Sequence, residues 1–370
     1  MPNPPATSAP QRIYAIDALR GFDMFWITGG REMLLGLVAL ITGGVPVWLD
    51  YHLGHPEWTG FSAWDMIMPM FLFITGAAMP FSFQQRLGEQ RDYPAIYRKM
   101  ARRVALLWVF GMVVQGNLIS SIVSMDISDL RLYSNTLQAI ASGYVIAAIA
   151  LLHLSRWGQR ALCAGLLLLY WALLTFVPVP GHGAGQITPD GNLALWVDEV
   201  ILRGFRDGTH YTWILSGLGF GGTVLLGVFA GQALGGDTTP RNKFFWLVGA
   251  GVACLLGGAL WGQFLPIVKH IWTSSMVLWS GGWCYLLLAV FYALIDLGGY
   301  KKWAFPFMII GANALLAYMV GEAIVGAFTG GAEEMFGEHI LIEAASATVA
   351  FAVMWAGLYF LYKKRWFLRV

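Results

Sequence analysis

Charge is scarce in this chain: Asp, Glu, Lys and Arg make up 12% of 370 residues, against 57% for apolar ones. That excludes an ordinary soluble globular domain, in which about a quarter of residues are charged. A net charge of +2, with the basic residues scattered between hydrophobic segments, gives no face for nucleic acid. Cysteine is limited to Cys163, Cys254 and Cys284, all inside apolar runs and without CxxC-type spacing. They read as small buried residues rather than as a disulfide framework or zinc site, and no metal is expected. The chain also lacks a Walker loop, a GxSxG elbow, an HExxH helix and a GxGxxG turn between strand and helix, which removes the common soluble-enzyme chemistries. No soluble repeat array and no separate soluble domain is visible.

Hydrophobic length is what the chain has. Apolar segments fall at about 14–41, 62–85, 103–124, 133–154, 159–178, 211–234, 243–264, 270–296, 303–325 and 340–362. Each approaches the roughly 20 residues that a helix needs to cross a bilayer, where backbone groups must be satisfied within the chain. The expectation is an all-α, polytopic membrane protein of about ten transmembrane helices, with the lipid bilayer as its solvent. The Pro-rich start, "MPNPPATSAPQR", has no short apolar core with a small-residue cleavage site, so residues 1–12 read as a flexible cytoplasmic tail and 13–370 as a single membrane domain.

Loop charges orient the helices. Lys and Arg collect in alternate connections, at Arg12, then Arg86, Arg91, Arg98, Lys99, Arg102 and Arg103, then Arg156 and Arg160, Arg241 and Lys243, Lys301 and Lys302, and Lys363, Lys364, Arg365 and Arg369. The other connections hold Arg131, Arg203, Arg206 and Lys269 with the acidic Asp50, Glu57, Asp126, Asp129, Asp190, Asp198, Glu333, Glu334 and Glu338. The positive-inside rule then places both termini in the cytoplasm. The longest outward loop, about 178–210, contains Gly- and Pro-rich turns before a short interfacial helix from Leu193 to Arg203. A loop of that length in a compact membrane protein points to function.

Polar groups inside membrane helices are costly and ask for a partner or a task; here they are Asp17, Arg20, Asp23, Arg31, Asp65, Gln138, Asn313 and Glu322. Asp17 and Arg20 share one helical face as an ion pair. The stretch "YHLGHPEWTGFSAWDMIMPMFLFITG", 51–76, gathers His52, His55, Glu57, Trp58 and Asp65 at a membrane boundary. A histidine beside a carboxylate suits general base catalysis, and either His52 or His55 fits; Asp65 can cap its helix or bind an imidazole. In "FLPIVKHIWTSSMVLWSGG", Lys269 and Trp272 to Ser275 either line a polar tunnel or bond back to helix carbonyls. Gln138 and Asn313 are either interhelical glue or ligand contacts.

Six stretches in order, "RIYAIDALRGFDMFWITGG", "HPEWTGFSAWDMIMPMFLFITGAAMPFS", "TPDGNLALWVDEVIL", "YTWILSGLGFGGTVLLGVFAGQAL", "LPIVKHIWTSSMVL" and "IIGANALLAY", resemble the heparan-α-glucosaminide N-acetyltransferase family and its bacterial relatives. The likeness runs from about Arg12 to Tyr318. It implies an enzyme that moves an acetyl group from cytosolic acetyl-CoA, its cosubstrate, to a glucosamine-like amine on the periplasmic side of a bacterial inner membrane; a homodimer is a compatible assembly. The family's "H..W.G....D...P" motif falls on His55, Trp58, Gly60, Asp65 and Pro69, which selects His55 over His52. On this reading His55, with Asp65 or Glu57, is catalytic. Arg102, Arg103, Gln138, Lys269, Ser274, Ser275 and Asn313 contact acetyl-CoA, and Trp58, Asp198 and Trp272 contact the acceptor. Direct transfer and an acetyl-histidine relay both fit. The rival reading is an amino-sugar transporter that uses the same polar groups, although no pair of matching broken helices marks it.

Overall fold

The computed structural model describes residues 13–84, 92–337 and 339–368. The expectations placed on the tail 1–12, Arg86, Arg91, Glu338 and Arg369, and on the side chain of Glu322, lie outside what is described. Among the described residues every regular element is helical, and only an isolated bridge between Val179 and Gly183 interrupts the pattern.

The chain opens with α1 (Tyr14–Phe25) and α2 (Arg31–Thr42), joined through a π turn at Trp26–Gly30 in which Thr28 and Gly29 leave helical geometry. The short α3 (Val47–Leu53) leads to a 3-10 turn (Trp64–Met66) that runs into α4 (Ile67–Gln84). Next come α5 (Tyr93–Val114) and α6 (Leu118–Ser124), bent by 69° relative to each other. They are followed by α7 (Thr136–His153), α8 (Arg156–Phe176), the loop helix α9 (Leu193–Leu202) and α10 (Gly217–Leu234). The rest is α11 (Pro240–Trp261), α12 (Ser274–Phe291) with a π extension to Leu297, α13 (Phe305–Ala312), α14 (Ala314–Phe336) and α15 (Ile340–Lys363). Nine helices among the described residues are long and apolar enough to span a bilayer, or ten with α5 and α6 taken as one bent span. The expected count of about ten spans is met within one, and the expected loop helix is present as α9.

Polar residues set several starts: Asp92, Ser155 and Thr239 accept the N–H groups of Ala95, Gly158 and Asn242 at the mouths of α5, α8 and α11. The ninth span differs from the expected 303–325. Helix is broken at Asn313 (φ −128°, ψ 38°), and the crossing segment is α14, which continues to Phe336. The Asn313 amide donates to the Trp366 carbonyl and accepts from the Leu368 N–H, so it ties down the C-terminal segment in place of continuing a straight helix.

The centre of the bundle is α10, packed on α4, α7, α8 and α12. Its approach to α4 is backbone on backbone. A Cβ on Gly76 would stand 1.9 Å from the Val224 carbonyl oxygen, and one on Gly227 would stand 1.9 Å from the Phe73 oxygen. Small residues replace the hydrophobic effect as the source of close contact between helices in lipid. The same device joins α1 to α13, where a Cβ on Gly21 would meet the Phe307 oxygen at 1.7 Å.

The two ends of the bundle differ in chemistry. At the basic end the Tyr14 and Ala15 N–H groups donate to Asp296, and the Lys301 ammonium lies 4.1 Å from the Tyr14 ring centre. At the opposite end, loops 54–63, 177–216 and 262–273 meet: the Trp58 indole donates to the Ile187 carbonyl and the Gly60 N–H to the Ile267 carbonyl.

Gly227→Leu should destabilise the bundle by about 1–3 kcal/mol or more, because the α4 backbone has no room to yield. Gly249→Leu, at a position where nothing lies within 4 Å of an added Cβ, should be tolerated. Thermal unfolding and size-exclusion profiles of the two purified variants measure the difference.

Candidate active site

Two short contacts organise the mouth of α4. Ser62 and Asp65 cap each other: the Ser62 N–H donates to Asp65 Oδ2 at 3.0 Å, and the Asp65 N–H donates to Ser62 Oγ at 3.2 Å. This reciprocal box, legible as "SAWD", fixes the carboxylate. The Ser62 hydroxyl also donates to the Gly54 carbonyl at 2.6 Å, and the Arg31 guanidinium donates to the Leu53 carbonyl at 2.8 Å. The two residues before His55 are thus each held through their carbonyl by a side chain.

The consequence is an imidazole–carboxylate pair. His55 Nδ1 lies 2.6 Å from Asp65 Oδ1, with the carboxylate side chain 2% exposed and the imidazole 41% exposed. A carboxylate only accepts, so Nδ1 carries the proton of this bond and Nε2 is left with a lone pair on the open side of the ring. Lys269 Nζ is 3.2 Å from Asp65 Oδ1 and 3.4 Å from His55 Nδ1. A donating Nδ1 cannot also accept from the ammonium, and the shorter distances assign both donors to Asp65. Burial pushes the Lys269 amine below the ordinary lysine range, opposed by Asp65.

Rings close the site from the loops. His270 stacks between Trp58 (centroids 5.2 Å) and Tyr211 (4.5 Å), and His210 meets the edge of Trp58 at 6.2 Å. Burial, and next the Lys269 charge, lower His270 to about 4, so at neutral pH it is an uncharged member of the stack. Gly60 (φ +127°) adopts the backbone that brings the 54–63 loop to Ile267.

The remaining sequence-selected residues divide between this site and others. His52 is exposed on α3, and Glu57 is exposed, so Asp65 and not Glu57 is the carboxylate at His55. Ser274, expected on a tunnel wall, donates to the Leu167 carbonyl; Ser275 donates to the Pro266 carbonyl. Both are fully buried and serve the joint between loop and helix. Gln138 is also sealed, accepting from the Ser134 N–H and donating to the Leu132 carbonyl. Trp272 is 1% exposed with its indole on Thr223 Oγ1, and Asp198 is fully buried, accepting from the Trp213 and Ile214 N–H groups. In this arrangement neither is open to an acceptor.

A second feature enters from the basic end. A cavity of about 980 Å³ is lined by Arg20, Arg103, Lys363 and Arg365 with Asp17, and by Ser82, Thr75, Phe71, Thr136 and Tyr318. Arg103 lies over the Tyr144 ring at 4.5 Å, whereas Arg102 is exposed and is not part of the lining. Asn313 sits between two lining residues, Ala312 and Ala314. Ser82 and Phe71 are separated by about 16 Å along α4, at ~1.5 Å per residue. Asp65 lies on the order of 10 Å beyond Phe71 along the same axis. Lys363 and Arg365 were legible only as topology charges, since nothing local in the sequence links them to α4 or α5.

No family model matches the chain. It is similar to the heparan-alpha-glucosaminide N-acetyltransferases of Mus musculus (24% identical over 98% of this chain and 61% of the relative) and of Homo sapiens (25% identical over 87% and 54%). The chain is thus a distant relative of that family, and it spans between half and two thirds of the length of these curated relatives.

Asp198 provides a pH test. Burial raises its carboxyl from 3.8 to about 6 against the two N–H donors. The folded state therefore holds the proton more tightly, and that contribution is present below pH 3.8 and lost as pH rises to about 6. The loss is on the order of 2–3 kcal/mol. Asp198→Asn should flatten this part of the curve of thermal stability against pH; an unchanged slope would show that Asp198 does not titrate in that window.

Proposed function

We propose that this multi-pass membrane protein is an acetyltransferase that carries an acetyl group from acetyl-CoA, bound from the basic cytoplasmic end, to the amine of a glucosamine-like sugar at the opposite, periplasmic end. The observation that carries this reading is the pairing of a His55–Asp65 couple at one end of α4 with a deep cation-lined cavity opening toward the other. The distant relationship to the heparan-alpha-glucosaminide N-acetyltransferases supports it.

The positive-inside rule favours the basic end as the cytoplasmic one. Four cations among the cavity's lining residues suit the phosphates of a coenzyme A nucleotide, and a lining that extends about 16 Å along α4 suits a pantetheine arm. With the thioester at the far end, the acceptor nitrogen attacks the carbonyl carbon, His55 Nε2 takes the nitrogen's proton, and the coenzyme leaves as a thiolate that solvent protonates. In the relay version, Nε2 itself attacks, the thiolate leaves, and the amine then takes the acetyl from the ring nitrogen while Nε2 takes the amine's proton and passes it to solvent. In both, Asp65 holds the tautomer that leaves Nε2 free and stabilises the positive charge that develops on the ring.

The test is reconstitution in vesicles with labelled acetyl-CoA on the basic side and glucosamine on the other. Acetylated sugar without sugar accumulation supports transfer, and accumulation independent of acetyl-CoA means transport instead. His55→Ala should lower turnover by about 100-fold or more in folded protein; full activity would overturn the assignment. Arg103→Ala and Lys363→Ala should raise KM for acetyl-CoA by roughly tenfold with kcat little changed, the pattern for lost ground-state binding.

A further inference from the structure

We propose that Lys269 is a positioning residue of the His55–Asp65 pair, whose ammonium offsets the Asp65 charge and thereby keeps the imidazole neutral and its Nε2 open for reaction. This rests on the reading of His55 as the reacting group.

Lys269 is 8% exposed and absent from the lining of the 980 Å³ cavity, so it is not on the wall of the coenzyme-sized space. Its ammonium is instead delivered to Asp65 by a loop with little freedom. The Thr273 hydroxyl donates to the Pro266 carbonyl (2.9 Å) and accepts from the Val268 N–H (3.2 Å), and the Trp272 N–H donates to the Lys269 carbonyl (3.0 Å). Trp272 itself is held at φ +51°, a conformation that a tryptophan keeps only where its surroundings over-determine it. The Thr273 and Ser275 hydroxyls, both on the Pro266 carbonyl, thus build the bracket that aims a lysine across the site. Burying an ammonium is expensive unless a charge repays it, and Asp65 is the acid within reach of it.

The electrostatic consequence follows from the groups that face His55. Its own loop brings the exposed Glu57, α3 the exposed His52, α4 Asp65, the 262–273 loop Lys269 and His270, and the loop before α10 His210 and Tyr211. Behind the Leu53 carbonyl, Arg31 is paired with Glu32 at 3.4 Å. In contact with the imidazole there are thus one carboxylate and one ammonium. Asp65 alone would favour the doubly protonated imidazole, which has no lone pair to offer; an ammonium on the same oxygen removes that preference while leaving the Nδ1 bond in place.

The test uses the full chain in lipid nanodiscs. In Lys269→Met the acid limb of the kcat/KM profile should move to higher pH by about one unit, a tenfold change in the protonated fraction. Lys269→Arg should restore the original limb. ¹⁵N-histidine NMR at a fixed pH should show a larger doubly protonated fraction of His55 in Lys269→Met than in the unchanged protein. Where Lys269→Met does not fold, Lys269→Gln, which can still donate to Asp65, carries the same expectation. A folded variant with an unmoved acid limb and an unchanged ¹⁵N spectrum overturns the proposal. The spectrum needs no turnover, so it tests Lys269 even if His55→Ala proves active and the acetyl-transfer reading falls.

Discussion

A carboxylate buried at the mouth of an apolar bundle must be repaid in full, and Asp65 is the group on which the active end depends. Its oxygens receive the His55 imidazole, the Lys269 ammonium and the Ser62 N–H. Those donors come from sequence positions more than 200 residues apart at the extreme, so satisfying one charge fixes the relation of two loops to the start of α4. The rings of Trp58, His270 and Tyr211 pack beside that centre. Asp65 is strongly placed because an unpaired buried charge there would be costly.

The scaffold beneath is rigid for a different reason. Helices in lipid gain little from burying apolar side chains against each other, and α4 and α10 meet instead through Gly76 and Gly227 with backbones in van der Waals contact. That contact places the start of α4, and with it Asp65, at a defined height relative to α10 and the loop that carries Tyr211. The cavity from the basic end runs along another face of α4. One helix therefore serves both features: its ends present the carboxylate to one aqueous side and Ser82 to the other.

Much of this was legible before any coordinates. Apolar length alone located the spans, because a membrane imposes a minimum run that few other constraints mimic. The ninth failed at Asn313, since an amide inside a hydrophobic run gives no local sign that its partners are the Trp366 carbonyl and the Leu368 N–H. His55 and Asp65 were within ten residues of each other and in a recognisable pattern, and the structure joins them. In the sequence Lys269, Ser274 and Ser275 read as a tunnel wall, because hydroxyls beside a lysine look alike whether they face a ligand or their own loop. Asp198 and Trp272 were assigned to the acceptor through their motifs, while their partners, Trp213, Ile214 and Thr223, are tertiary.

The sequence by itself determined the class of this protein, the approximate number of its spans, the asymmetry of charge between its two ends, and the residues most worth suspecting. Those properties are sums over local segments, and solvent reads each segment independently. Only the tertiary structure decided which polar groups answer one another: that Asp65 rather than Glu57 holds His55, that Lys269 belongs to that pair, and that Arg20, Arg103, Lys363 and Arg365 share one cavity. Such pairings are set by a few ångströms between distant segments. In a medium that offers no water to a stray charge, that short distance separates a stable site from an unfoldable one.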